Sequence, residues 1–149
     1  MLRIEDVNAL PFDFSRILEE RGHNILYIGK TEVSLLTRMW EQELHQNGAG
    51  TFFRSIGSVL GFVPEPGSLE GKKNKKNYKF SKENRISIVR WIEDHLLINF
   101  VPFDGDVESV ETKLIQKYVP LLNIDKNPLK SEKLEELRDR CRKIARGEE

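Results

Sequence analysis

One cysteine is all that this chain of 149 residues holds, and Cys141 alone closes no intramolecular disulfide and builds no cysteine-based zinc site. Charge of one sign is missing too. The 24 basic and 24 acidic side chains cancel, so no global positive field announces a nucleic-acid partner and any such interface must be a local patch. No apolar run approaches membrane-spanning length, and the first residues carry charges where a secretion signal needs an apolar core. The expectation is therefore no membrane and a cytoplasmic location. There is no glycine-rich phosphate loop, no nucleophile elbow and no paired zinc motif, and His23, His45 and His95 share no metal-ligand spacing. What remains is 38% apolar and 32% charged residues, enough for one domain over residues 1–149 with its own core and a heavily charged surface. Nothing in the composition fixes an oligomeric state.

Along the chain, residues 12–21 read as a short helix after Pro11, stopped by Gly22. Residues 25–28 read as a strand, and Gly29 lets the backbone turn out of it. Residues 34–46 are helical in pattern, with Leu36, Met39, Trp40 and Leu44 on an inward stripe that ends at NGAG. Thr51 caps a second short helix through residue 60, carrying Phe52, Phe53, Ile56 and Leu60. Residues 61–78 form a loop with two prolines, three glycines and the start of the basic run KKNKKNYK. Ser81 caps a helix to about residue 95, with Ile86, Val89 and Ile92 facing in. The second strand candidate is LLINFVPF at 96–103, closed by Asp104 and Gly105. A helix at 107–118 and a charged amphipathic helix at 131–146, with Leu134, Leu137, Cys141 and Ile144 on its stripe, complete the chain.

The junction NILYIGKT, residues 24–31, carries the most information. Tyr27, Lys30 and a downstream arginine at one strand-to-helix turn are the residue types that transfer protons and stabilise anions around a phosphate. Glu111 is the other clue, because it falls inside the apolar stripe of Val107, Val110, Leu114, Ile115 and Tyr118. An inward carboxylate is costly unless a cation or several donors satisfy it. It is either a stripe edge or internal salt bridge, or a ligand for a hard cation such as Mg²⁺, which takes one or two carboxylates plus water and substrate oxygens. Arg38 shares a helix side with Leu35, Gln42 and His45; this is a solvated face, or a guanidinium set to neutralise phosphate. His45 suits a helix C-terminal cap equally well. Lys72, Lys73, Lys75, Lys76 and Lys79, mixed with Asn and Tyr78, fit either a solvated loop or contact with a nucleic-acid backbone. Asn123 in PLLNI suits holding the chain against neighbouring backbone.

In order, YIGKT, an arginine on the next helix, a glutamate in VETKLI and Asn123 in PLLN resemble the GIY-YIG nuclease superfamily over residues 24–124, leaving 131–146 as a C-terminal helix. The segments GTFFRSIGSVLG and NKKNYKFS are similar to those of its small stand-alone bacterial members. The resemblance implies an α+β fold, a small antiparallel sheet of about three strands flanked by helices. It implies one-metal hydrolysis of DNA phosphodiesters with Mg²⁺ or Mn²⁺. On this chain Tyr27 would position or deprotonate the attacking water with help from Lys30, Arg38 would stabilise the charge on the phosphate, Glu111 would hold the cation and Asn123 would organise the site. Many members carry a histidine one turn after the arginine; Gln42 stands there, and His45 is a loose stand-in. The tyrosine tripeptide of the family's first strand does not occur upstream of Asn24, where FDFSRILEE reads as helix. The expectation is that this strand is missing, that another residue substitutes, or that the domain binds nucleic acid without cutting. A third class of function is an interaction protein whose exposed first strand edge pairs with another chain.

Overall fold

In the computed structural model, residues 1–30 and 50–149 are described. The chain starts with an alternation too short to read from sequence: Leu2 and Ile4 are fully buried and Arg3 between them is half-buried, which makes strand β1, Leu2–Ile4. Asp6 caps a single 3-10 turn at Val7–Ala9 by accepting the Asn8 N–H. Helix α1, Phe12–Arg21, follows Pro11 and ends at Gly22, whose φ of 67° is left-handed and free of strain only without a Cβ. The chain returns as β2, Ile25–Tyr27. Then come α2, Thr51–Val59; α3, Lys82–His95, running straight into β3, Leu96–Ile98; α4, Val107–Tyr118; and α5, Glu132–Arg146. The expected helix at 34–46, with Arg38, Gln42 and His45, lies outside the described residues.

The fold is α+β, with a three-stranded antiparallel sheet in the order β2-β1-β3. Leu2 faces Tyr27 on one side and Ile98 on the other, and Ile4 faces Leu96. A strand therefore does precede Asn24, and it is the central one. The FDFSRILEE segment is a helix as its pattern says, but it connects β1 to β2 and does not replace a strand. Asn24 clamps the far end of that pairing: its Nδ2 donates to the Ile4 carbonyl at 2.7 Å and its Oδ1 accepts from Arg3 Nε at 2.9 Å.

Two expectations need correction. The strand at 96–103 stops at Ile98, because its partner β1 is only three residues long and Asn99 N–H, bonded to the Met1 carbonyl at 2.9 Å, is the last rung. Beyond it Phe100, Val101 and Phe103 are exposed, and Pro102 has no N–H to offer a ladder. In α3 Ile88 and Ile92 are buried and Val89 packs half-buried against the same core, as expected of Val89 and Ile92, while Ile86 is 46% exposed.

The core gathers around α2, whose residues from Phe52 to Val59 are all buried. Leu18 of α1, Leu121, Leu122 and Leu134 belong to the same apolar cluster. Arg138 of α5 is buried as well, its Nη1 donating to Ser55 Oγ at 2.7 Å and to the Thr51 carbonyl at 3.3 Å, so a charge enters the core with partners. Gly57 marks a close approach inside this core: a Cβ there would lie 2.5 Å from Phe80 Cε2 and 2.9 Å from Ile88 Cδ1. The outer edge of β2 is not open to another chain. Leu121 N–H donates to the Ile25 carbonyl at 3.3 Å and Leu122 N–H to the Leu26 carbonyl at 2.8 Å. Among the described residues no helix is long and apolar enough to cross a membrane.

Candidate active site

The end of β2 is held from three directions. Asn123 continues the pairing begun by Leu121 and Leu122 with its side chain: its Oδ1 accepts the Ile28 N–H at 2.9 Å and its Nδ2 donates to the Ile28 carbonyl at 2.8 Å. A carboxamide has one acceptor and one donor side, so it matches a peptide unit as another strand would. Asn127 secures the same loop, with Nδ2 donating to the carbonyls of Pro120 at 2.8 Å and Asn123 at 2.9 Å. The second restraint is Gly29. A Cβ at this position would come within 2.8 Å of Tyr27 Cε1, so the tyrosine ring folds back over the turn only because that atom is absent. The ring also packs against Phe52, with centroids 5.6 Å apart and planes tilted by 51°.

The third restraint brings the carboxylate in. Helix α4 is started by Asp106, whose side chain accepts the Ser109 N–H at 3.0 Å, and it ends at Val119 in a left-handed conformation before Pro120. This sets the stripe that carries Glu111 toward β2, and Glu111 Oε1 accepts the Lys30 N–H at 3.0 Å. The side chain of Glu111 is 15% exposed, and its Oε2 meets Lys126 Nζ at 3.1 Å. Lys126 Nζ also contacts Glu108, one turn earlier on α4, and Lys30 Nζ reaches the other Glu108 oxygen at 2.5 Å. Paired first with Lys126 and then with Lys30, the exposed Glu108 carboxyl is pulled down to about 2, and the Lys126 ammonium is pushed up mainly by Glu108 and then by Glu111. A cavity of about 510 Å³ opens beside this group. Its walls include Gly29, Lys30, Phe100, Phe103, Val110 and Glu111.

Of the residues singled out from sequence, Tyr27, Lys30, Glu111 and Asn123 thus surround one short turn of backbone at residues 27–30. Arg38 and His45 lie outside the described residues. Lys72, Lys73, Lys75, Lys76 and Lys79 are all exposed, in a loop anchored on the end of α5 through Gly67 N–H to the Ile144 carbonyl and Leu69 N–H to the Ala145 carbonyl. Tyr78 is not part of that surface. It is fully buried, edge-on to Phe80 at 5.6 Å, so it offers no ring for a base to stack on. Two charged members of the site were not anticipated. Glu108 was legible, since it stands three residues before Glu111 on the same helix. Lys126 was not, because its approach depends on a left-handed backbone, φ 64°, inside an irregular loop.

Among the described residues no three of His, Cys, Asp and Glu gather into a ready-made metal cage. A divalent cation here would rest on Glu111, a hard oxygen donor partly exposed beside an open cavity, with water and phosphate oxygens completing the shell. That donor set fits Mg²⁺ or Mn²⁺ and does not fit a tetrahedral zinc centre.

No curated protein and no solved structure matches the chain. The family model described as the GIY-YIG catalytic domain matches residues 1–144. That span takes in β1, β2, α4 and the PLLN segment, and on it the chain belongs to the GIY-YIG family.

Proposed function

We propose that this nuclease-family domain is a divalent-metal-dependent endonuclease that hydrolyses DNA phosphodiesters. The observation that carries the reading is the bond from Lys30 N–H to Glu111 Oε1, which ties a carboxylate on one helix to the strand exit that bears Tyr27. Glu111 would hold the cation, Mg²⁺ or Mn²⁺, and a bound cation would supply Lewis-acid polarisation of a phosphate oxygen. Tyr27, limited in its motion by Gly29 and Phe52, is suited to orienting a water and accepting its proton. Lys30 contributes positive charge beside the same turn, and Arg38 on the following segment would meet the charge that builds on the phosphate. Asn123 acts through Ile28 as the positioning residue for this turn. Lys72, Lys73, Lys75, Lys76 and Lys79 would add sequence-independent contacts to the DNA backbone.

One observation favours a second reading. The central strand β1 is Leu2, Arg3 and Ile4, with no tyrosine beside Tyr27 across the sheet. A domain with one phenol instead of two would serve as a nucleic-acid-binding module on the same fold. Cleavage of supercoiled plasmid in Mg²⁺ or Mn²⁺ separates the two. The wild type is expected to nick the plasmid and Glu111→Ala to fail; equal activity of the two would reject the enzyme reading. Salt-sensitive binding without any cut would establish the module.

A further inference from the structure

We infer that Lys126 is a displaceable counterion of Glu111, one that occupies the carboxylate until a divalent cation arrives and then retreats onto Glu108. The inference rests on the proposed role of Glu111 and adds a device to it.

Glu111 Oε1 is taken by a backbone N–H, and among the described residues Lys126 Nζ faces Oε2 at 3.1 Å. A divalent ion arriving at this carboxylate meets a positive charge at van der Waals range, and the two repel. Lys126 has a second anchor in the same place, since its Nζ also contacts Glu108. The Glu108 side chain is 55% exposed against 15% for Glu111, so it presents its charge to solvent at the rim while Glu111 lies deeper. The ammonium can thus leave Glu111 without losing its partner. Lys30 Nζ shares Glu108 from the other side and keeps that carboxylate in place on the first turn of α4, where the helix dipole also favours a negative charge.

The backbone supports the same reading. Lys126 has φ 64°, a left-handed conformation that strains any residue with a Cβ and that glycine or asparagine would occupy more easily. The loop that imposes it is fixed at both flanks, by Asn123 on Ile28 and by Asn127 on the Pro120 and Asn123 carbonyls. A lysine held rigidly at its Cα, with only its flexible stem free to swing, suits an ammonium that moves a short way between two carboxylates.

Mn²⁺ binding to the DNA-free protein, followed by the electron paramagnetic signal of the unbound ion, tests this with a readout independent of cleavage. Lys126→Met, which keeps the stem and removes the charge, is expected to bind Mn²⁺ about fivefold tighter than wild type, the scale of a partly exposed ion pair. Glu108→Gln is expected to bind it more weakly, because Lys126 then loses the Glu108 charge onto which it would retreat and stays on Glu111. Unchanged or weaker binding by Lys126→Met, alongside wild-type binding that is lost in Glu111→Gln, overturns this inference and leaves the metal role of Glu111 standing. No binding by either wild type or Lys126→Met overturns both.

Discussion

Replacing Asn123 by alanine removes the two hydrogen bonds that lock the end of β2, and the structure sets the size of the loss. Asn123 is 7% exposed and Ile28 is 4% exposed, so the Ile28 N–H and carbonyl, bonded now at 2.9 and 2.8 Å, would face a small apolar void and little water. Each orphaned group costs about 1–3 kcal/mol, which gives about 2–5 kcal/mol for the pair once partial hydration is allowed for. For a chain of this size that is a fall in Tm of about 5–15 °C. Thermal unfolding followed by circular dichroism measures it, and urea unfolding should show a lower midpoint with an unchanged slope, since the surface exposed is the same. Asn123→Asp keeps an acceptor for the Ile28 N–H but loses the donor and buries a charge, so it should fare no better than alanine. A drop smaller than about 2 °C for Asn123→Ala would refute the reasoning, because the two Ile28 groups would then have found other partners.

At Gly57, substitution by alanine pushes a Cβ to 2.5 Å from the Phe80 ring and should destabilise by about 1–3 kcal/mol in urea unfolding. Combining it with Phe80→Leu should give a double variant less destabilised than the sum of the two, since the shorter side chain yields the space. Replacing the lysines at 72, 73, 75, 76 and 79 with glutamine should lower the salt dependence of DNA binding; full contact by five side chains corresponds to a change in log–log slope of about 4.5, and an unchanged slope would remove this loop from the interface.

What was legible in the sequence is what has a long period or a chemical signature. Helices α3, α4 and α5 show a stripe several turns long, and Ser81 and Ser131 cap two of them with side-chain oxygens accepting the N–H groups of Asn84 and Leu134. The inward placing of Glu111 followed from the same stripe. β1 was not legible, because three residues give no alternation to recognise and its strand character comes from the two neighbours that sandwich it. Neighbouring aliphatics hid the phase of α3, where Ile86 and Ile88 compete for the core and packing against α2 selects Ile88. Tyr78 misled for a related reason. Its basic neighbours are solvated, but the loop folds onto α5 and carries the ring inward, toward Arg138 at 6.0 Å.

The order in which the sheet is woven bears on how the protein can be made and divided. A nascent chain that has left the ribosome only as far as α3 owns β1 and β2 but neither Leu96–Ile98 nor the segment with Leu121 and Leu122. It is a two-stranded ribbon with both flanks bare, a marginal and sticky object in water. The N-terminal half expressed by itself should therefore aggregate, and adding the C-terminal half in trans should rescue it, since that half brings both missing flanks.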